Sequence, residues 1–183
     1  PNLLTPDLCY LIGLYVVEGS CYKEYDNDVL RSCQFTITCG DDISSIFNSL
    51  GIKYACYDGL HYTFTSYHFM EFMEYLGFDL SNTASKKSLP TKLLSTTKKN
   101  ISALLAGMFD GDGCIIIKNG HSRVSYTSTS KELIKQALIG VSRNKFDSLI
   151  ANFQEIESAE FKLTPFWSPF FPNQDRLFNI ETK

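Results

Sequence analysis

The apolar positions of this chain fall into runs with different periods. Leu8 to Val17 is the longest, broken only by Gly13, and it predicts a helix over about 6–18 that is too short to cross a bilayer. From 21 to 39 the apolar positions alternate with polar ones, as in a strand pair, and a Ser/Thr/Cys-rich end leads into a short amphipathic stretch. The order predicted for the first half is helix (6–18), hairpin (21–39), helix (41–50), hairpin (52–66) and helix (67–76). A polar, basic stretch with Pro90, "SNTASKKSLPTKLLSTTKK", then reads as a connector. A helix at 101–111, a hairpin over 114–129 broken at "NGHS" and a helix at 130–140 follow. Beyond Ile139 the pattern fades. "FKLTPFWSPFF" partly resembles "YTFTSYHFMEF", but Pro165, Pro169 and Pro172 exclude the equivalent helix.

The two halves repeat one composite pattern. Leu11-Ile12-Gly13 aligns with Leu105-Ala106-Gly107, and Glu18-Gly19 with Asp112-Gly113, both at a spacing of 94. "QFTITCGDDISSIF" resembles "SYTSTSKELIKQAL" at a spacing of 91, as if the second hairpin loop were three residues shorter, a change of small entropic consequence. In "LLAGMFDGDGCI" the helix is expected to end at Gly111 and Gly113, through the left-handed geometry that glycine tolerates. A carboxylate there sits at the negative end of the helix dipole, so a cation is expected to offset it.

Composition adds a folded, reduced protein. Hydrophobic residues make up 44% and aromatics 14% of 183 residues, enough for one core or two small half-domains, here 1–95 and 96–183. No secretory signal is evident, and an intracellular or viral-cytoplasmic location is expected. Six cysteines without a Cys-x-x-Cys spacing argue against zinc and for mostly buried, reduced thiols. The net charge of −3 hides a division. Residues 86–145 hold eleven Lys and Arg against Asp110, Asp112 and Glu132, hence +8, while the remainder is −11. That stretch is a candidate electrostatic footprint for nucleic acid.

Small residues at Gly13, Ala106 and Gly107 would let the two repeated helices cross with their backbones nearly touching. Crossing face to face brings both C-termini together and sets Glu18 beside Asp112. Such a pair repels and raises one pKa unless a hard divalent ion such as Mg²⁺ holds it. "DGDGCI" is no EF-hand, because Cys114 stands where a ligand would and the sixth position is not glycine. There is no phosphate-binding Gly-x-x-x-x-Gly-Lys loop.

"LAGMFDGDG" (105–113) resembles the signature of the LAGLIDADG homing endonucleases, and "LIGLYVVEG" (11–19) its diverged first copy. The resemblance implies an α+β fold of two pseudo-symmetric αββαββα half-domains, with paired motif helices at the interface and a saddle of antiparallel strands. It implies a monomeric, site-specific double-strand DNA endonuclease using Mg²⁺, with Mn²⁺ as substitute, and leaving short 3′ overhangs. Glu18 and Asp112, with Gly19 and Gly113 beside them, would bind metal. A basic residue near the site falls on Lys86 or Lys87, with Lys86 preferred; Lys183 and Lys162 are the second-half candidates. Strand residues facing the major groove would be Tyr22, Lys23, Arg31, Gln34 and Thr36, then Lys118, Arg123, Ser125 and Thr127. Arg and Lys suit guanine edges and Gln suits adenine. The first motif and the "KxxLP" approach to the second also resemble intein endonuclease domains. The chain as given lacks a nucleophilic first residue and a terminal His-Asn pair, and is not expected to splice. The alternatives are a nucleic-acid-binding relative without cleavage (RNA maturase or DNA-binding regulator) and a structural domain stabilised by divalent ions.

Overall fold

The structure, a computed structural model, describes residues 4–118, 121–144, 159–161 and 178–180. Helix α1 (Pro6–Glu18) starts at Thr5, whose hydroxyl accepts from Leu8 N–H at 3.2 Å, with Pro6 at the first helical position. Strands β1 (Gly19–Asp26) and β2 (Val29–Thr38) follow, then α2 (Ser44–Ser49), β3 (His61–Thr65) and α3 (Tyr67–Leu76). The strands form one antiparallel sheet in the order β1-β2-β3. The hairpin expected at 52–66 is only half formed. Its first arm contributes a single bridge, Ala55 to Thr63, closed by two hydrogen bonds of 2.8 Å.

One face of this sheet packs on the helices through an aromatic cluster. Phe35 is fully buried, stacked on Phe64 at 5.3 Å and edge-on to Tyr15 at 5.6 Å and Phe69 at 4.9 Å. The other face, from Tyr22, Gln34 and Thr65 across to Ser20, Thr36 and Thr63, is open and carries no Lys or Arg.

The connector is a packed element. A 3₁₀ turn (Ala84–Lys86) and a one-turn helix α4 (Thr91–Leu94) bury Leu89 and Leu93. Helix α5 (Lys98–Asp112) then runs to the second hairpin, β4 (Gly113–Lys118) and β5 (His121–Tyr126), and to α6 (Lys131–Asn144). A last short pair, β6 (Ala159–Phe161) and β7 (Phe178–Ile180), is antiparallel. Lys162, Lys183 and the three prolines of the final segment lie outside the described residues.

Helices α1 and α5 cross at their glycines. A Cβ on Gly13 would strike the Leu104 carbonyl oxygen and sit 3.0 Å from Met108 N. A Cβ on Gly107 would strike the Tyr10 carbonyl oxygen and sit 2.9 Å from Leu14 N. The partners are themselves 94 residues apart, so the crossing is a pseudo-twofold. Ala106, expected with these glycines at the interface, is only half-buried.

Two sequence expectations change. Neither Gly111 nor Gly113 is left-handed: α5 continues through Gly111 to Asp112, and Gly113 is extended at φ −87°. Glycine is needed at 113 because a Cβ would strike the Phe109 carbonyl oxygen, as one on Gly19 would strike Tyr15. The hairpin offset also differs. Gly19 faces Ile37 and Gly113 faces Tyr126, so the equivalent spacing is 89, not 91. The second hairpin is five residues shorter rather than three. A slip of two keeps every side chain on its face, which is why the sequence alignment looked coherent.

Candidate functional site

The pseudo-twofold carries the two helix ends, and with them Glu18 and Asp112, to one place. Asp112 is half-buried, and burial first, then the Glu18 charge, push its carboxyl up to about 6, with Lys87 pulling the other way. A Cβ on Gly111 would strike Val17 Cγ2 and come within 3.0 Å of Glu18 Cγ, so this glycine makes room for both side chains at the end of α1.

The lysine brought to these carboxylates is Lys87. The 3₁₀ turn ends at Lys86, leaving it exposed, and the next residue turns inward with φ −61° and ψ 141°. Lys87 Nζ donates to the Gly19 carbonyl at 2.6 Å and to that of Tyr15 at 3.5 Å, 5.7 Å from the Tyr15 ring centroid. Burial draws its pKa below the ordinary lysine range, with Asp112 and then Glu18 opposing the fall. Lys86, the residue preferred from the sequence, is exposed and lies beside neither Gly19 nor Tyr15, so the geometry favours Lys87 for the basic position.

Lys87 also lies on the wall between two clefts. One, of about 430 Å³, is lined by Glu18, Gly19, Cys21 and residues 78–84. The other, of about 310 Å³, is lined by Asp112, Thr127, Ser128, Thr129 and Leu133. Glu18 and Asp79 line the first cleft and Asp112 the second, and Val16, Val17, Ala84 and Lys87 belong to both.

The donor set suits a hard cation. Two carboxylates stand at two negative helix ends, and the thiols of Cys21, which lines the Glu18 cleft, and of Cys39 have their pKa values raised by burial and are neutral neighbours. Among the described residues no group of three or more His, Cys, Asp or Glu is gathered. Further ligands would be water or substrate oxygens, an arrangement Mg²⁺ accepts. The Gly19 carbonyl is already engaged by Lys87. Tyr126, missed in the sequence, places a fully buried hydroxyl near Asp112 and Ser128 that makes no hydrogen bond of proper geometry. It is the partner of Gly113 across the strands, a register that the sequence alignment missed by two residues. Asp110 is not part of the pair, since Tyr10 Oη donates to it at 2.8 Å and ties α1 to α5.

The expected strand residues separate into groups. Tyr22, Gln34 and Thr36 lie on the open face, with Tyr22 directly across from Gln34. Lys23 lies on the other face, where Nζ meets Glu74 of α3 at 2.6 Å. Its charge is neutralised beneath the sheet. Arg31 sits at a bulge near the far end of the hairpin and pairs with Asp26 at 2.9 Å. Ser125 pairs with Cys114 and Arg123 with Ile116, while Lys118 closes the β4 end opposite His121. Thr127 lies past β5, where its N–H donates to the Asp112 carbonyl at 3.3 Å. It belongs to the Asp112 cleft and not to the strand face.

All six cysteines are free. Three are buried, Cys21 and Cys56 are partly covered, and Cys114 is exposed, so burial is less general than expected. Cys21 and Cys33 bring their sulfurs within 3.3 Å.

Residues 99–143, which hold α5, the second hairpin and most of α6, match the family model of a LAGLIDADG-like domain. Two curated proteins of Methanocaldococcus jannaschii are similar. One is an uncharacterised protein, 25% identical over 144 residues, or 73% of this chain. The other is the DNA-directed RNA polymerase subunit Rpo1C, 29% identical over 140 residues, or 75% of this chain. The chain spans 16% of the length of each. Among solved structures, I-DmoI in complex with DNA and Mn is 12% identical with a TM-score of 0.49, covering 75% of this chain and 77% of that one. Mesophilic variants of the homing endonuclease I-DmoI give 14% and 0.42, over 60% and 59%.

Proposed function

We propose that this chain, whose residues 99–143 match a LAGLIDADG-like domain, belongs to the LAGLIDADG family and is a divalent-metal-dependent endonuclease that cuts double-stranded DNA at a long, specific site. The observation that carries this reading is the meeting of Glu18 and Asp112 at the ends of two helices that cross on a pseudo-twofold. A duplicated carboxylate suits a duplicated reaction, one scissile phosphodiester on each strand. The pseudo-dimer lies within one chain, so the active species is a monomer.

Glu18 and Asp112 would hold Mg²⁺ or Mn²⁺, which supplies charge neutralisation at the phosphate and an acidified water. Both carboxylates must be deprotonated for this, and burial and the Glu18 charge make Asp112 hold its proton up to about pH 6. Lys87 holds a positive charge between the two clefts, where it can stabilise negative charge developing on a phosphate oxygen. Tyr22, Gln34 and Thr36 offer neutral hydrogen-bonding groups to base edges on the open sheet face. Lys118 and Arg123 add charge to the second hairpin. Cleavage across the minor groove would leave short 3′ overhangs.

The relatives support a module carried inside larger proteins, as an intein endonuclease would be, working within the cell. They share one stretch of about 140 residues, yet one of them is an RNA polymerase subunit.

The test is incubation of the chain with a large randomised duplex library in Mg²⁺, followed by sequencing of cut ends. Staggered cuts at one recurrent long motif, absent from Glu18→Gln and Asp112→Asn, are expected. Binding without cutting would replace this reading with a maturase or DNA-binding regulator.

A further inference from the structure

The site lysine lies on the connector, and the connector is held by the second half of the molecule. Gln136, buried on α6, donates through Nε2 to the Leu89 carbonyl at 2.9 Å, and its Oε1 accepts from Leu89 N–H at 2.6 Å. One side-chain amide thus satisfies both backbone groups of a single buried residue, as a neighbouring strand would. Two residues earlier, the Ser130 hydroxyl donates to the Lys87 carbonyl at 2.6 Å while accepting from Leu133 N–H at 3.2 Å to cap α6. The Lys87 backbone is therefore fixed from α6, and its ammonium is fixed from β1 at Gly19.

From this geometry we infer that Gln136 and Ser130 are positioning residues for Lys87, setting the register of the connector so that its ammonium lies between Glu18 and Asp112. The inference rests on the endonuclease reading for its kinetic consequence, but not for its structural one. Packing alone does not explain the contact. An apolar side chain at 136 would fill the same space, yet only an amide satisfies both backbone groups of buried Leu89; a shift that set Pro90 opposite would leave Oε1 without a donor. A connector displaced by one residue would present Lys86 or Ser88 in place of Lys87. Gln136 and Ser130 lie in the second half and Gly19 in the first, so the lysine is correctly placed only when both halves are docked.

The test uses the full chain and two readouts. In the first, brief lysine acylation followed by mass spectrometry compares Lys87 with exposed Lys86. Lys87 is expected to react far more slowly than Lys86 in the parent, and to approach it in Gln136→Leu and in Ser130→Ala. Ser130→Thr, which keeps the hydroxyl, should restore protection. In the second, the single-turnover cleavage rate at saturating DNA should fall about 10- to 100-fold in Gln136→Leu. It should change by no more than about twofold when the same substitution is made in a Lys87→Met background.

Equal losses in both backgrounds, or unchanged Lys87 protection in both variants, would overturn the inference and leave Gln136 as scaffold. If Gln136→Leu fails to fold, Ser130→Ala and its threonine counterpart decide. If the parent chain cuts no DNA, the endonuclease reading fails while the acylation result still decides the positioning.

Discussion

The crossing of α1 and α5 and the site at their ends are built from the same repeat, yet only the crossing is symmetric. At the crossing, Gly13 meets the backbone of Leu104 and Met108, and Gly107 meets that of Tyr10 and Leu14. Main-chain atoms have no identity, so two copies of one helix satisfy each other without further adjustment. A few residues on, the side chains differ. A glutamate answers an aspartate, Asp112 carries the raised pKa, and one lysine from the connector lies between two clefts. Backbone packing preserves the duplication, and side-chain chemistry departs from it.

The largest expected effect is at the symmetric part. Gly13→Ala and Gly107→Ala each place a methyl on a carbonyl oxygen of the other helix, and the helices must separate to accept it. Each is expected to destabilise by about 4 kcal/mol. Because the two contacts are equivalent, urea unfolding should give nearly equal losses. Gly40, whose Cβ would meet nothing within 4 Å, is the control. A loss at one glycine only would break the pseudo-twofold.

At the asymmetric part the losses should appear in cleavage and not in folding. Glu18→Gln and Asp112→Asn are each expected to lower the single-turnover rate at least 1,000-fold, with DNA affinity kept. If each variant nicked one strand, the two clefts would be independent. If neither strand were cut, the carboxylates would act as one centre.

A smaller difference separates the adjacent lysines. Lys87→Met should slow cleavage about 10- to 100-fold, whereas Lys86→Met should leave the rate within about twofold and only weaken binding slightly while lowering its salt sensitivity. Equal effects would return both to a phosphate-contacting connector.

The lysine pair shows where sequence reading stops. The repeated helices were legible because a composite pattern recurs at a fixed spacing: small residues, an apolar run, an acid and a glycine. The open face of β1 and β2 was also legible, since alternation places Tyr22, Gln34 and Thr36 together. Which of two consecutive lysines points inward depends on one 3₁₀ turn that has no strong local signal. Lys23 was misplaced because a charge was read as surface, when Glu74, 51 residues away, lets it lie beneath the sheet. The half-formed hairpin at 52–66 and the offset of 89 were likewise set by pairing partners distant in sequence.

The smallest effect is also the one that most directly compares the two carboxylates. With its carboxyl pushed up to about 6, Asp112 binds its proton more tightly in the folded chain than in the unfolded one. The folded state is therefore not penalised below about pH 4, where the group is protonated in both states. It loses stability as pH rises through 6, where the group must ionise while half-buried and beside Glu18. Replacing Asp112 with asparagine removes this charge. Without divalent ions, Asp112→Asn should be the more stable chain at pH 7.5, by about 1 kcal/mol once solvent screening of a half-exposed group is allowed for. The advantage should shrink through pH 6 and vanish near pH 4. Adding Mg²⁺ at pH 7.5 should reverse the order, because only the parent presents both carboxylates to the ion. Thermal unfolding of the two chains across this pH range, with and without Mg²⁺, reads both signs. An advantage that did not vary with pH would mean that Asp112 ionises at no extra cost in the folded chain, and that asparagine gains from packing or hydrogen bonding alone.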